Sequence, residues 1–460
     1  MQGSAYITLT ILIIVFFLEM YLYRVRFLLH PSFWFLIIWI LSISSFIIYL
    51  SIGLDFIIFD SELILELLHY VVFSALCFLM LSLISYKKLR TRFTNWDPVI
   101  DDNLFMLLAI IIFAVNIANF LINSSFNLVE NRETMIIRDI KLAINENQSL
   151  PATELILNFF KWLNMPLIIL AGFLFCKNFV QNNLNLRLVN KYYFLPVLTG
   201  VINTLAIGGR AGIISTIMFF FIGFSLAINS LKQPVFRIIK KTALYGLAFF
   251  VLFSIYSTFV TVIRERSYSQ LPTMIEVRFN SYPLIKPFSG LIQYLTDHYP
   301  GYQLRRIDNT TPEFEMGQIC LSGFTTFKIP VFSQLAGSPI SIQSVFNLYE
   351  PEVVRAHIER EESGFLWVGA TATLFLPLYD DFGYKGTFIA IFVLILFTQL
   401  IYNNIFSLNK VHFLSILPLV LIYYVWYNSI FSHHILGNWI SSYFYSFLII
   451  DIICWVKRNY

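Results

Sequence analysis

"AIGGRAGIISTIMFFFIGFSLAI", residues 206–228, begins with a glycine-rich corner and then continues without a charged residue. The stretch before it, 192–207, is equally apolar, so Arg210 lies at a tight turn between two apolar segments. A water-soluble fold has no room to bury continuous apolar stretches of this length, but they are typical of segments that cross a bilayer. Because lipid offers no partners for backbone N–H and C=O groups, such segments are expected to be α-helices. The stretch therefore predicts an all-α membrane protein with several spans.

The composition of the whole chain supports the same fold class. Of its 460 residues, 58% are hydrophobic and 13% are charged, and this charged share is about half that of a soluble domain. Windows of roughly 18 or more apolar residues recur, and each is long enough to span the hydrocarbon core of a bilayer. We predict about 11 transmembrane helices, at 4–22, 33–53, 67–85, 104–122, 160–177, 192–207, 211–229, 242–263, 384–406, 411–428 and 435–453.

Basic residues predict the orientation of these helices. Lysines and arginines of short loops are enriched on the cytoplasmic side of a membrane. When the N-terminus is placed outside, the basic loops fall on the cytoplasmic side and the acidic loop 55–66 falls on the outer side. The basic segments are 24–26, 87–92, 177–191, 232–241 and 457–458.

Polar regions divide the chain into three parts. Residues 1–263 hold the first eight predicted helices together with an outer loop, 123–158. Residues 264–383 form a large outer region with short helices, and 384–460 hold the last three predicted helices. The sequence has no HExxH, CxxC or P-loop motif and no basic, aromatic-rich soluble face. Neither a metal, a cofactor nor a nucleic-acid partner is therefore expected.

Three arginines fall on the outer side in this orientation. Arg210 lies at the N-terminus of a predicted helix, where free N–H groups and the helix dipole favour an anion. Arg264 and Arg266 follow the end of the next helix. Guanidinium groups bind pyrophosphate oxygens in forked geometry, so these arginines favour a lipid pyrophosphate site. The alternative is that they anchor helix ends among lipid headgroups.

Candidate acids and bases lie in the outer region and at its end. The stretch EPEVVRAHIEREESG, residues 350–364, predicts a short amphipathic helix. It is either a surface helix or an element that overhangs a site, where His357, Arg360 or Glu361 acts as acid, base or cation. Asp381 lies just before Gly383, where the chain enters a predicted helix. It is either a turn or N-cap residue or a base.

The order of these parts resembles bacterial O-antigen polymerases of the Wzy type, also called oligosaccharide repeat-unit polymerases. The resemblance rests on GGRAG at 208–212, IRERS at 263–267, GLIQYL at 290–295, GFTTF at 323–327 and ATATLFLPLYDDFGYKG at 370–386. In that family the last stretch typically reads Asn-Val-Tyr-Thr, then Pro, then Asp-Phe-Gly and a further Gly. Ala370 and Leu376 depart from the pattern, since Asn and Arg are common at those places. The matching residues are Thr373, Pro377, Asp381, Phe382, Gly383 and Gly386.

The resemblance implies a glycosyltransferase at the periplasmic face of the bacterial inner membrane. One undecaprenyl-pyrophosphate-linked glycan gives up its sugar chain to the terminal hydroxyl of another with inversion, and undecaprenyl pyrophosphate is the leaving group. The resemblance further implies that no nucleotide sugar takes part. A metal-independent reaction is predicted because the sequence has no cluster of carboxylates or histidines at ligand spacing on the outer face. The implied pyrophosphate-binding residues are Arg210, Arg264, Arg266 and Arg360, the substrate-binding residues are Tyr294 and Thr373, and the candidate catalytic bases are His357, Glu361 and Asp381.

The implied partners are the lipid-linked donor and acceptor, membrane lipids and a chain-length regulator protein. Two other functions are compatible with the same topology. An O-antigen ligase-like transferase uses the same donor with a lipid A core acceptor, and a flippase moves the lipid-linked glycan across the membrane. A flippase needs an arginine-lined path, and the helix interiors between residues 33 and 263 carry almost no charge, which favours the enzyme.

Overall fold

In the computed structural model, helices account for almost all of the residues described, and no strand occurs among them. Five of these helices are long and apolar enough to cross a membrane. The predicted all-α class is therefore confirmed, while the count of about 11 spans and the domain boundaries stay predictions. The structure describes residues 1–52, 60–89, 102–123, 152–206, 211–231, 246–248, 250–262, 279–296, 298–308, 373–407, 413–430 and 439–459.

The helices of these ranges are numbered here in chain order. The first seven are α1 Gln2–Tyr23, α2 Pro31–Ser51, α3 Ser61–Leu89, α4 Asp102–Asn123, α5 Ala152–Gln181, α6 Leu195–Ala206 and α7 Ala211–Leu231. The remaining six are α8 Gly246–Val262, α9 Ser289–Thr296, α10 His298–Asp308, α11 Phe375–Ser407, α12 Leu417–Tyr427 and α13 Trp439–Asn459. Residues 211–228 of the opening stretch thus belong to α7.

Helices α1, α2, α3, α11 and α12 form a bundle with two distinguishable ends. At one end, Gln2 of α1 donates to Ser51 of α2 over 3.2 Å, and this end also carries Glu66 near the start of α3. At the other end, Asn403 of α11 donates to Ser85 of α3 over 3.3 Å. Helices α1, α3 and α11 run in one direction, whereas α2 and α12 run in the other. We call the two ends the Glu66 end and the His30 end.

Helices α5 and α7 approach each other closely through glycines. A Cβ atom on Gly172 of α5 would lie 2.0 Å from the carbonyl oxygen of Phe220 in α7. The reciprocal contact is as tight, because a Cβ on Gly223 of α7 would lie 1.8 Å from the carbonyl oxygen of Ile169. Small residues that let backbones meet are the usual basis of helix association in membranes. This contact positions α7 against α5.

Helices α9 and α10 enter the bundle from the Glu66 end. His298 and Tyr299, at the start of α10, both lie 3.2 Å from the hydroxyl of Ser42 in α2. Ser42 is nine positions before Ser51, so this contact lies about 13 Å inside the bundle at 1.5 Å per residue. Irregular backbone at such a depth is tolerated where protein surrounds it, and both side chains are buried. Helices α9 and α10, which belong to region 264–383, are therefore packed into the helix bundle.

Gly290, the first residue of the GLIQYL motif, fits α9 against α8. Its N–H donates to the Thr258 hydroxyl over 3.1 Å, and that hydroxyl donates to the Pro287 carbonyl over 2.8 Å. A Cβ atom on Gly290 would lie 2.4 Å from Thr258 Cα, which is backbone and cannot rotate away. Only glycine satisfies this approach without moving α8 or α9.

We expect Gly290→Ala to lower the free energy of unfolding by about 2 kcal/mol, because the added methyl group forces the two backbones apart. Gly246→Ala in α8 is the matched control, since its Cβ would have nothing within 4 Å. Thermal unfolding of the purified protein in detergent checks both variants. Equal melting temperatures for the two variants would show that α9 does not depend on this contact.

The DDFG segment forms a break inside α11. Gly383 adopts φ 67° and ψ −179°, a conformation that is almost confined to glycine, so the helix continues in a new direction after it. The break separates a short helical segment, 375–382, from a long apolar segment, 384–407. The sequence therefore places its two aspartates, Asp380 and Asp381, at the end of the short segment.

Candidate active site at the Glu66 end

A bidentate ion pair joins α3 to α10. Arg306 donates from Nε to Glu66 Oε1 over 3.0 Å and from Nη2 to Oε2 over 3.2 Å. The hydroxyl of Tyr302, one turn earlier in α10, donates to the same Glu66 Oε1. The Arg306 guanidinium carbon lies 3.5 Å from the ring centroid of Tyr379 in α11. Three helices are thus held together by one guanidinium group.

The charges of this pair compensate each other. Burial lowers the pKa of Arg306, but the hydrogen bonds and the charge of Glu66 outweigh that effect and raise it. Burial, followed by the charge of Glu66, raises the pKa of the Tyr302 hydroxyl well above its usual range. Tyr302 is therefore a neutral donor. Since Glu66 already neutralises Arg306, this arginine supplies little net charge to a substrate anion.

A second set of contacts fixes the start of α3 against α10. Asp60 accepts the N–H of Glu62 over 2.8 Å through its carboxylate, which caps the first turn of α3. The backbone N–H of Asp60 donates to the Gln303 side chain of α10 over 3.0 Å. The cap and the ion pair lie on the same side of α10, so the helix has little freedom to slide along α3.

His298 lies deeper in the bundle than the Glu66–Arg306 pair and is surrounded by aromatic side chains. Its ring centroid is 5.3 Å from that of Trp39, and Trp39 donates to the Ser429 hydroxyl over 2.9 Å. Burial lowers the pKa of His298 to about 3. The imidazole is therefore neutral at physiological pH and is suited to hold α10 rather than to titrate during a reaction.

The structure describes three of the predicted site residues. Asp381 is 1% exposed and lies two positions after Tyr379, the residue that stacks on Arg306. Thr373 is fully buried, and its Oγ1 has no hydrogen-bond partner among the residues that the structure describes. The residue after Thr373, Leu374, donates its N–H to the Ser429 carbonyl over 2.8 Å. This bond ties the start of α11 to the end of α12.

Tyr294, the third of these residues, is buried on α9 and lies within electrostatic range of Tyr427 in α12. The other predicted residues lie outside the described ranges, so their roles stay predictions. They are Arg210, Arg264, Arg266, His357, Arg360 and Glu361. Among the described residues, no group of three or more His, Cys, Asp or Glu side chains is arranged to hold a metal ion.

The ion pair between Glu66 and Arg306 was not predicted from the sequence. Glu66 was predicted to belong to an acidic loop, whereas it lies in the second turn of α3. The signal for α10 was present in the spacing of Tyr299, Tyr302 and Arg306. Positions i, i+3 and i+7 share one helix face, so the three predict a buried face of a short helix.

No protein-family model, curated protein or solved structure matches this chain. Any function for the site therefore has to follow from its residues and their geometry. Those residues include a buried carboxyl group beside a helix break, a guanidinium group clamped by Glu66 and the buried hydroxyl of Thr373.

Proposed function

We propose that the protein is a glycosyltransferase that joins undecaprenyl-pyrophosphate-linked oligosaccharide repeat units, as Wzy-type O-antigen polymerases do. The observation that supports this proposal is the position of Asp381. It is a buried carboxyl group at a glycine break, on the short helical segment that Arg306 holds through Tyr379. A reaction in which a sugar hydroxyl attacks an anomeric carbon needs one base in a fixed place.

The chemistry requires one proton transfer and one displacement. The base removes the proton of the acceptor hydroxyl, whose oxygen then forms a bond to the anomeric carbon of the donor. The bond from that carbon to the pyrophosphate oxygen breaks on the opposite face, so the configuration inverts. Undecaprenyl pyrophosphate leaves as an anion and needs charge stabilisation more than protonation.

Asp381 is the proposed base for this step, with His357 and Glu361 as the other candidates. Asp381 is two positions after Tyr379, which stacks against Arg306. This matters because a base has to be held within hydrogen-bond reach of the proton that it removes. The short segment 375–382 is anchored at its start by the Leu374 hydrogen bond and in its middle by Tyr379. Such anchoring supports a role for Asp381 as the base rather than as a turn residue alone.

The leaving group is proposed to be held by arginines other than Arg306. Glu66 occupies the Nε and Nη2 atoms of Arg306, so this residue positions α10 and α11. Arg210, Arg264, Arg266 and Arg360 remain the candidates for the pyrophosphate, because a guanidinium group binds phosphate oxygens in forked geometry without titrating.

Thr373 and Tyr294 are proposed to contact the sugar. A buried hydroxyl without a hydrogen-bond partner is unfavourable, and Thr373 Oγ1 is such a group among the described residues. A sugar hydroxyl supplies both a donor and an acceptor, so it satisfies Thr373 in either direction. Tyr294 adds an aromatic ring and a phenol group from α9.

The Glu66 end is proposed to face the periplasm and the His30 end the cytoplasm. The orientation rests on the basic residues Lys87 and Lys88, which belong to the last turn of α3 at the His30 end. Short-loop lysines are enriched on the cytoplasmic side of the bacterial inner membrane. The proposed reaction then takes place where lipid-linked repeat units are polymerised, next to the outer leaflet.

Purified protein supplied with lipid-linked repeat units tests the proposal. We expect a ladder of products on a gel, each longer by one repeat unit, and we expect the ladder to persist with EDTA because no metal takes part. Products that form only with a lipid A core acceptor would identify a ligase-like transferase. Transfer of the glycan lipid across liposomes without any new glycosidic bond would identify a flippase, and either result would overturn the proposal.

A further inference from the structure

A buried carboxyl group lies at the His30 end, remote from the proposed active site. Glu19 is in the last turn but one of α1 and is 0% exposed. His30, which precedes α2, is also fully buried, with its Nδ1 3.7 Å from Glu19 Oε2. The hydroxyls of Ser32 in α2 and Ser82 in α3 are the other polar neighbours of the carboxyl group. Neither carboxyl oxygen has a hydrogen-bond partner of ordinary geometry among the described residues.

The hydrogen bonds around His30 fix where its proton lies. The backbone N–H of Ser32 points at Nδ1 over 3.3 Å, so Nδ1 acts as an acceptor. The other ring nitrogen, Nε2, lies 2.9 Å from the side-chain oxygen of Gln399 in α11, so Nε2 carries the hydrogen and donates it. Gln399 uses its own NH₂ group toward Tyr23 and Asn403. The Ser32 hydroxyl also lies 2.6 Å from Nδ1, so Ser32 occupies this lone pair and His30 is a neutral imidazole.

No positive charge faces Glu19 from the described parts of the helices packed around it. Arg26 interacts with Tyr402 of α11, and the Tyr23 hydroxyl accepts a hydrogen bond from Gln399, so neither phenol brings a positive charge to Glu19. From α12, Tyr423 donates to the Leu29 carbonyl and carries no charge. An ionised carboxylate inside a membrane protein without a cationic partner is strongly unfavourable, and such a group takes up a proton instead.

We propose that Glu19 is an intramembrane binding site for a single proton. Uptake of that proton forms an O–H bond on the carboxylate and leaves the site without charge, and the hydroxyls of Ser32 and Ser82 are the polar groups that surround it. Loss of the proton to solvent leaves one buried negative charge between α1, α2, α3 and α11. Proton uptake at this site is therefore linked to the packing of these four helices.

Infrared spectroscopy of the full-length protein in lipid bilayers tests the site. At neutral pH, exposed carboxyl groups are ionised, so a carbonyl band of a protonated acid reports a buried one. We expect this band in the wild type and its loss in Glu19→Gln. The matched control is Glu62→Gln, which replaces an exposed carboxyl group of α3 and should leave the band unchanged.

The stability of the variant separates a neutral acid from an ion pair. If Glu19 carries the proton, Gln replaces it without creating a buried charge, and the melting temperature stays close to that of the wild type. If Glu19→Gln fails to fold, Glu19→Asp should keep a protonated-acid band but shift its frequency. The proposal is overturned if the wild type lacks a protonated-acid band, or if the band is identical in the wild type and the Glu19 variant.

Discussion

Asp381→Asn should reduce the polymerisation of lipid-linked repeat units at least about a hundredfold, because a general base contributes roughly 10²–10⁴ to the rate of a reaction. Asparagine has nearly the same size and can satisfy neighbouring donors, but it cannot accept the proton of the acceptor hydroxyl. The measurement is the initial rate of product formation per folded molecule, with the folded fraction determined separately by size-exclusion chromatography.

The neighbouring aspartate is the matched control for this prediction. Asp380 is also buried, but consecutive residues of a helix point about 100° apart, so the two carboxyl groups face different surroundings. We expect Asp380→Asn to keep a rate within a few-fold of the wild type. Wild-type activity in Asp381→Asn would instead make Asp381 a turn residue, and the base would then be His357 or Glu361.

Glu66→Gln should lower the free energy of unfolding by about 3 kcal/mol, since loss of one partner leaves the other charge buried and unpaired. The two side chains are only 13% and 11% exposed, so water screens Arg306 poorly once Glu66 is gone. Arg306→Gln should have a similar effect and should also remove the cation that rests on Tyr379. Chemical unfolding of the purified protein in mild detergent measures each variant.

A double-mutant cycle then isolates the pair from other losses. In the variant with both substitutions neither charge is left unpaired, so its destabilisation should be clearly smaller than the sum of the single effects. Glu62→Gln, one turn earlier on α3, should cost less than about 1 kcal/mol, because it loses only an exposed contact with the helix dipole. Additive single effects would show that the pair does not hold α10 in place.

The helical class could be predicted from the sequence because it depends on local composition. The run Pro31–Ser51 contains no charge, and its hydropathy alone predicts a helix long and apolar enough to cross a membrane. Helices α9 and α10 could not be recognised in this way. Helix α9 has only eight residues, and α10 contains His298, Gln303 and Arg306, so its mean hydropathy resembles that of a surface segment. Their burial depends on partners in α2 and α3 that are far away in the chain.

Polar residues inside apolar segments are equally hard to assign from the sequence. Asp381 and Thr373 were found because they belong to a motif, whereas Glu19 was hidden inside an apolar run whose average it barely changes. The polar groups near Glu19 include His30 and Gln399, which are 369 positions apart and meet only after folding. A single charged residue in a membrane helix is nevertheless a signal by itself, because its burial always needs an explanation.

The glycine break in α11 has a consequence for how the bilayer acts on the protein. A continuous membrane helix transmits its tilt along its whole length, and tilt changes with the thickness of the surrounding lipid. At Gly383 the backbone leaves helical geometry, so the long segment after it can lean without carrying the short segment with it. Tyr379 stacks against Arg306, so the short segment stays attached to α10. A change in bilayer thickness can therefore tilt the long segment while the carboxyl group of Asp381 keeps its position relative to α10.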